Sequence, residues 1–241
     1  MSRGPGADTL HIISAGAMQA VVSALAPEFE QSTGMTVHVT FGAVGQQKAR
    51  VLAGEPADVI LLTPGMLDEL AVSGWVVAGS QRTLGRVGMG VVVPNGHPGV
   101  DVSTVDALRA AMLAARLIVY PDPAIASAGR NFDNALIAMG IREQLADRIR
   151  HFPNGNASMT WLGAQRIDGS IGVTQVSEIR PIPTITLIGE VPSPLQVITE
   201  YGVARAARST APDLGEQFFT LITSARGRAL ILESGFAPTD Q

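Results

Sequence analysis

Short apolar runs alternate with segments of helical periodicity along this chain. The β-branched run at residues 9–14 is followed by a segment at 17–32 whose apolar residues recur at helical spacing, and an alternating run follows at 35–41. Residues 57–62 are apolar apart from Asp58, and the Thr-Pro pair after them is typical of a helix start. This order predicts an α/β fold in which helices flank mostly parallel sheets.

The alternation continues through the second half of the chain. Predicted strands cover residues 87–93, 116–120, 170–174, 184–188 and 195–203, and predicted helices begin near Ser103, Ala128, Ala157 and Pro212. Ser103 is the predicted N-cap of its helix, because Asp106 three residues later resembles the partner in a capping box. Pro27 interrupts the first helical segment and leaves two alternatives open, a kinked helix and a second short one.

Composition and charge exclude several classes of function. The 17 Lys and Arg residues are scattered among 21 Asp and Glu, so nucleic acid is not an expected partner. The absence of cysteine excludes disulfides, thiolate metal sites and cysteine nucleophiles. No apolar run approaches the roughly 20 residues that span a bilayer, so membrane insertion is not expected. The sequence predicts neither a metal nor a cofactor, because it has no H-E-x-x-H pair and no phosphate-binding P-loop.

The first residues bear on location in the cell. Residues 1–7 are predicted to form a flexible N-terminal tail. Up to Asp8 the chain lacks the basic start and the apolar core of a secretory signal. We therefore expect a periplasmic protein if a signal peptide was removed from its precursor, and a cytoplasmic protein otherwise.

Four strand-to-helix turns are rich in small residues. They are Ser-Ala-Gly-Ala-Met at 14–18, Gly-Ala-Val-Gly-Gln at 42–46, Ser-Ala-Gly at 127–129 and Asn-Gly-Asn-Ala at 154–157. In open α/β sheets, ligands collect at the carboxyl ends of strands, where helix N-termini present unpaired N–H groups. Glycine and serine at any one of these turns can be explained by a tight connection alone. Four such turns in one chain favour an anion as the ligand.

The candidate ligand-binding residues come from these turns and from the end of a later strand. They are Ser14, Gly16, Ala17, Met18, Val44, Gly45, Gln46, Ser127, Ala128, Asn156, Ala157 and Gln175. Lys48 and Arg130 are candidate counter-charges for the anion, and a solvated helix surface is the alternative for both.

Several segments resemble the motifs of one protein family. Residues 41–45 are Phe-Gly-Ala-Val-Gly, residues 54–58 are Gly-Glu-Pro-Ala-Asp, and Tyr-Pro-Asp-Pro at 120–123 precedes Ser-Ala-Gly at 127–129. In order and spacing they are similar to the molybdate-binding solute-binding proteins of ABC transporters, which have Phe-x-x-Ser-Gly followed by Gly-x-Pro-Ala-Asp. Ser-Glu at 177–178 resembles that family's Ser-Asp pair after a strand. The resemblance runs over nearly the whole chain.

The resemblance implies a periplasmic-binding-protein-like fold with two lobes. The first lobe would comprise residues 8–84 and 195–241 and the second residues 85–194. Each lobe would be a mostly parallel sheet flanked by helices, with the ligand in a cleft between the lobes that closes by a hinge. It further implies a small anionic ligand and an ABC transporter permease as partners, and we expect a monomer.

Departures from the family change the expected ligand. Where its members contact the oxyanion with two serine hydroxyls and carry a tyrosine near the last turn, this chain has Ala17, Val44 and Gln175. A tetrahedral oxyanion would lose charge-assisted hydrogen bonds of about 1.5–3 kcal/mol each. Amides and hydroxyls such as Gln46, Gln175, Asn156 and Ser14 suit carboxylates. We therefore expect a small organic di- or tricarboxylate rather than molybdate.

An enzyme is the alternative function. Residues 14–18, together with Val-Thr-Gln-Val-Ser-Glu-Ile at 173–179, resemble aconitate isomerases, which implies cofactor-free proton transfer at an allylic carbon of a tricarboxylate. No residue is identified as catalytic. The candidate bases, none of them in a motif that fixes its role, are Glu178, Asp122, His11, His38, His97 and His151. The effector domain of a transcription regulator is a third alternative, less favoured because no helix-turn-helix precedes residue 9.

Overall fold

In the computed structural model, which describes residues 8–239, the chain divides into two units. One unit runs to Arg86 and resumes at Thr199, and the other comprises Val87–Ile198. Within the described range, each unit holds one five-stranded sheet with helices packed against it. The predicted α/β class is confirmed, whereas the predicted tail at residues 1–7 lies outside the described residues.

Strands and helices alternate along most of the chain, as the sequence predicts, but the strands at Arg82–Val87 and Ile149–Phe152 and the helices at Val176–Ile179 and Ala225–Glu233 were not predicted. The strands are β1 (Thr9–Ala15), β2 (Thr36–Gly42), β3 (Val59–Leu62), β4 (Arg82–Val87), β5 (Met89–Pro94), β6 (Leu117–Pro121), β7 (Ile149–Phe152), β8 (Ser170–Gln175), β9 (Ile185–Glu190) and β10 (Thr199–Arg205). The helices are α1 (Gln19–Thr33), α2 (Val44–Leu52), α3 (Pro64–Val72), α4 (Val105–Ala114), α5 (Ser127–Ala138), α6 (Gly155–Gln165), α7 (Val176–Ile179), α8 (Pro212–Thr223) and α9 (Ala225–Glu233). Short 3-10 turns at Gly16–Met18 and Glu143–Arg148 precede α1 and β7. No helix within residues 8–239 combines the length and the apolar content that crossing a bilayer requires.

The sheet of the first unit has the strand order β2-β1-β3-β10-β4. Strand β1 is parallel to β2 and to β3, and β10 is antiparallel to β3. Because β1, β2 and β3 share a direction, their last residues, Ala15, Gly42 and Leu62, lie at the same end of the sheet. The connections to α1, α2 and α3 start from that end.

The sheet of the second unit has the order β7-β6-β8-β5-β9. Strand β6 is parallel to β7 and β8, whereas β5 is antiparallel to both β8 and β9. The last residues of β6, β7 and β8 are Pro121, Phe152 and Gln175, and the connections to α5, α6 and α7 leave from them. Val91 packs in a hydrophobic cluster with Phe132 of α5, and Val92 packs in another with Met159 of α6. Helices therefore cover both faces of this sheet.

Both sheets are mixed, although the sequence predicts mostly parallel ones. Strand β5 is buried at every residue and yet is antiparallel to both neighbours. Its continuous apolar run reflects burial on both faces, which any central strand requires whatever its direction. Strand β10, with which the chain resumes the first unit, is likewise antiparallel to its neighbour β3.

One predicted helix boundary is wrong, and one that the sequence left open is settled by the structure. The N-cap of α4 is Thr104, whose hydroxyl accepts a hydrogen bond from the Ala107 N–H at 3.1 Å. The N–H of Ser103 donates instead to the Asp101 carboxylate, in the local turn that aspartate favours. Pro27 begins no second helix, because it lies inside α1, which continues to Thr33 and buries an apolar face.

Asp58, the last residue of the Gly-Glu-Pro-Ala-Asp motif, joins three segments of the first unit. The residue is 1% exposed, and its carboxylate accepts hydrogen bonds from the His11 N–H at 2.7 Å, the Ser209 hydroxyl at 2.6 Å and the Ala211 N–H at 3.1 Å. The motif aspartate is therefore a structural anchor between β1, β3 and the start of α8.

Asp58→Asn is expected to lower the free energy of unfolding by about 2 kcal/mol, because one buried donor then faces an NH₂ group. Urea unfolding at neutral pH measures the change. Asp68→Asn on the exposed face of α3 is the matched control. A change within about 0.5 kcal/mol of the wild type at position 58 would contradict the anchoring role.

Candidate functional site

In the first unit, two of the predicted turns start from neighbouring strand ends. The register of β1 and β2 pairs Ala15 with Gly42, so the turn at residues 14–18 and the turn at 42–46 lie side by side. Both helix starts follow alanines, Ala15 and Ala43, and neither start has a side-chain cap. The N-cap side chains therefore leave the first N–H groups of both starts as donors.

The side chains of these two turns differ in exposure. Ala17, Met18 and Val44 are buried, whereas Gly45 and Gln46 are exposed. Gly16 is half-buried and lies in the 3-10 turn that leads into α1. The buried Ser14 hydroxyl donates to the Ala15 carbonyl at 3.1 Å, so its proton is used within the turn.

Gln47 is a residue that the sequence analysis missed. It follows the predicted Gln46 in α2 and is completely buried, although its side chain is polar. Val44, Gln47 and Val51 are the buried residues of α2 and recur at helical spacing. A glutamine on the apolar stripe of a short helix is the signal that could have identified it.

The two candidate counter-charges have different surroundings. Lys48 forms an ion pair with Glu69 of α3 and keeps about a quarter of its side chain exposed (26%). Its charge is therefore compensated within the protein. Arg130, in the first turn of α5, is exposed. For Lys48 the surface alternative describes the structure better than a ligand contact does.

In the second unit, the start of α5 resembles the starts in the first unit. Its N-cap is Ala126, which provides no side-chain acceptor, and the next residues are the half-buried Ser127 and the buried Ala128. Asp122, just before this turn, accepts a hydrogen bond from the Ala124 N–H at 2.9 Å and so shapes the loop. The Ser127 hydroxyl and the first N–H groups of α5 are the donors that this turn offers.

The start of α6 is different, because the protein itself supplies its acceptors. The Asn154 side chain accepts a hydrogen bond from the Ala157 N–H at 2.8 Å. The N–H groups of Gly155 and Asn156 donate to the carboxylate of Glu178. The predicted ligand contacts from the Ala157 and Asn156 backbones thus compete with internal hydrogen bonds. The half-buried Asn156 side chain is what remains as a candidate in this turn.

The Glu178 carboxylate accepts hydrogen bonds at the starts of two helices, α6 and α7. Besides the α6 donors, it accepts a hydrogen bond from the Thr174 hydroxyl at 2.7 Å and one from the N–H of Gln175, which is the N-cap of α7. Glu178 is the third residue of α7, so this last contact is half of a capping box. A Cβ at Gly155 would lie 2.1 Å from the carboxylate, which explains the glycine there.

Burial decides the ionisation of Glu178. Its burial raises the pKa of the carboxyl above the usual glutamate range, although the four hydrogen bonds act in the opposite direction. Because its acceptor positions are occupied by these donors, Glu178 is a structural group and a poor base candidate. Gln175 is buried at the end of β8, and the buried Ser177 hydroxyl beside it has no hydrogen-bond partner among the described residues.

The four histidine candidates differ in how far they lie from the candidate turns. His11 and His38 lie four residues before the ends of β1 and β2, about 13 Å from the turns. His97 accepts a hydrogen bond from the Gly169 N–H at 2.5 Å, near the start of β8 and so at the opposite end of that sheet. His151 is the penultimate residue of β7 and lies beside the turns of the second unit.

His151 also has the most unusual environment of the four. Its ring packs against Tyr120, with the ring centroids 4.6 Å apart, and its Nε2 is buried without a hydrogen-bond partner among the described residues. Burial lowers the pKa of this imidazole, so it is neutral near pH 7. The Tyr120 hydroxyl and the Arg142 Nε both donate to Asp133, at 2.6 and 2.5 Å. Among the described residues, acidic and histidine side chains form no group of three that could hold a metal ion.

Comparison with known proteins places this geometry in context. Residues 10–237 match a family profile described as bacterial extracellular solute-binding protein. The chain is 28% identical to an aconitate isomerase from a Pseudomonas species over 236 residues, which are 95% of this chain and 88% of that protein. It is 23% identical to the molybdate-binding protein ModA of Mycobacterium tuberculosis over 238 residues, 96% of this chain and 85% of that protein.

The fold is also that of a solved binding protein. The periplasmic molybdate-binding protein of Azotobacter vinelandii superposes with a TM-score of 0.78 at 19% identity, covering 96% of this chain and all of that one (100%). This likeness confirms the predicted periplasmic-binding-protein fold.

Proposed function

The chain belongs to the bacterial extracellular solute-binding proteins and is related to molybdate-binding proteins, and on that premise we propose that it binds a small organic di- or tricarboxylate. The observation that carries this proposal is the set of helix starts at Ala15, Ala43 and Ala126. Each follows the carboxyl end of a parallel strand, and none has a side-chain cap. Such starts offer N–H groups and a partial positive charge to anions.

The side chains around these starts favour carboxylates over tetrahedral oxyanions. Ala17 is 2% exposed and Val44 is 7% exposed, and neither can donate a hydrogen bond from its side chain. Gln46, Ser127 and Gln175 add amide and hydroxyl groups of the kind that bind planar carboxylates. Because the turns at residues 14–18 and 42–46 lie side by side in the first unit, their donors suit a ligand that carries more than one carboxylate.

We extend the proposal to the partner and the compartment. A small solute held by a member of this family is passed to an ABC transporter permease, and we propose that role, as a monomer outside the cytoplasmic membrane, for this chain. No metal or cofactor is part of the proposed binding mode, since backbone and side-chain donors supply the contacts.

The second candidate function is isomerisation of a tricarboxylate. It is favoured by the similarity to an aconitate isomerase over 95% of the chain and by His151, a neutral and partly buried imidazole beside the turns of the second unit. In this reading His151 would remove a proton from an allylic carbon and return it at the other end of the shifted double bond. The helix N-termini would stabilise the charge that develops on the carboxylate.

A thermal-shift screen tests the proposed ligand class. We expect a di- or tricarboxylate to raise the Tm, since a ligand present at 100 times its Kd adds about 2.7 kcal/mol to the stability of the folded state. Molybdate, tungstate, sulfate and phosphate are expected to leave the Tm unchanged. A shift produced by molybdate alone would contradict the carboxylate assignment.

Turnover separates the two candidate functions. Any tricarboxylate that shifts the Tm is incubated with the protein in D₂O and followed by NMR. Deuterium incorporation and a shifted double bond, both lost in His151→Asn and retained in His97→Asn, would support the isomerase. Binding without exchange would support the transport role.

A further inference from the structure

The Gln47 side chain is a buried amide whose polar atoms have no hydrogen-bond partner in the described part of the chain. None of its surface is exposed, and neither Oε1 nor Nε2 forms a hydrogen bond within residues 8–239. Buried amides without any partner are uncommon in folded proteins, because desolvation of the donor and the acceptor is then not compensated. Such a group calls for an explanation beyond packing.

This amide lies at the uncapped start of α2. Side chains on a helix lean towards its N-terminus, and Gln47 reaches back to Gly42, the last residue of β2. A Cβ at Gly42 would lie 2.3 Å from the Gln47 Nε2 and 2.8 Å from the Gln46 Oε1. Two glutamine amides therefore converge on a position that only glycine leaves open, beside the N–H groups that follow Ala43.

We propose that Gln47 is a specificity-determining residue, which selects carboxylates that carry a hydroxyl group. The proposal rests on the function proposed above and narrows its ligand class. An amide offers two N–H donors and one acceptor oxygen. An ionised carboxylate, like molybdate or sulfate, brings acceptors only and leaves Oε1 unpaired. A ligand hydroxyl donates to Oε1 while its carboxylate accepts from Nε2 or from the helix N–H groups.

Matched ligand pairs test this selection. Citrate and tricarballylate differ only by the hydroxyl, as do malate and succinate. Calorimetric titration of the wild type is expected to show at least about tenfold tighter binding of the hydroxy acid in at least one pair, since a site built around a hydroxyl penalises the analogue that lacks it.

The near-isosteric variant Gln47→Met removes the amide and keeps the volume. We expect the preference to fall below about threefold in this variant, with the Tm of the ligand-free protein unchanged or raised because an unpaired polar group is lost. The matched control is Gln31→Met on the exposed side of α1, which should keep the wild-type preference.

The outcomes separate this inference from the function on which it rests. Carboxylates that bind without regard to the hydroxyl, or a preference that survives in Gln47→Met, would overturn the role of Gln47 and leave the carboxylate function intact. If Gln47→Met does not fold, the ratio of the wild-type affinities for the hydroxy acid and its analogue tests the inference by itself. Absence of binding by all four acids would overturn the proposed function and this inference together.

Discussion

Replacing Glu178 by alanine is expected to lower the free energy of unfolding by about 4 kcal/mol, among the larger effects seen for single substitutions. The change removes the acceptor for the Thr174 hydroxyl and for three backbone N–H groups, at the starts of α6 and α7. All of these donors surround a buried side chain, so water does not readily replace the carboxylate. Urea unfolding followed by circular dichroism measures the loss.

The variant Glu178→Gln separates the effect of side-chain volume on stability from the effect of the carboxylate charge. It keeps the volume and one acceptor, so we expect it to lose about half as much stability as the alanine variant. A loss below about 1 kcal/mol in Glu178→Ala would show that the two helix starts do not depend on this carboxylate.

The difference in stability between wild type and Glu178→Gln is expected to depend on pH in a definite direction. Burial raises the pKa of Glu178, so between the ordinary glutamate pKa and the raised value the folded protein holds a proton that the unfolded chain has released. The stability contributed by that proton is fully present below the ordinary pKa and is lost as the pH rises through the raised one. The stability advantage of wild type over Glu178→Gln is therefore expected to shrink as the pH is raised from about 4.

The order of helices and strands could be predicted because burial leaves a local periodic pattern in the sequence. Strand direction leaves none, which is why β5 was expected in a mostly parallel sheet and lies antiparallel to both neighbours. Strand β7 was missed, because its four residues include Arg150 and His151 and it is held mainly by backbone pairing with β6. The start of α9 had a readable signal, since Ser224 caps it through the Gly227 N–H.

The candidate site, like the fold, could be predicted only where local sequence patterns indicate it. Small residues at turns show where a helix start comes close to a ligand, and the structure brings residues 14–18 and 42–46 to one end of a sheet. Which acceptor satisfies each helix start depends on contacts distant in sequence, as between Glu178 and the start of α6. The position of Gln47 on the apolar stripe of α2 is a local signal, whereas the surroundings of its amide follow from the packing of α2 against β1 and β2.

The double substitution Ala17→Ser and Val44→Ser is expected to raise the affinity for molybdate at least about 100-fold. Each new hydroxyl can add a charge-assisted hydrogen bond of about 1.5 kcal/mol or more, and about 1.4 kcal/mol corresponds to a factor of ten. Both positions are buried and lie in turns that leave from neighbouring strand ends, Ala15 and Gly42. Calorimetric titration of wild type and variant with molybdate measures the gain.

A control pair of substitutions tests whether the gain in molybdate affinity is specific to the turns. Ala110→Ser on the exposed face of α4 and Val72→Ser, where the valine is 91% exposed, make the same chemical changes away from the helix starts and should leave molybdate binding unchanged. The turn variant should also bind carboxylates no more tightly than wild type, because their contacts do not need the added hydroxyls. If the folded turn variant bound molybdate no better than wild type, Ala17 and Val44 would not occupy the serine positions of the molybdate-binding relatives. The preference for carboxylates over molybdate would then need a cause other than the missing serine hydroxyls.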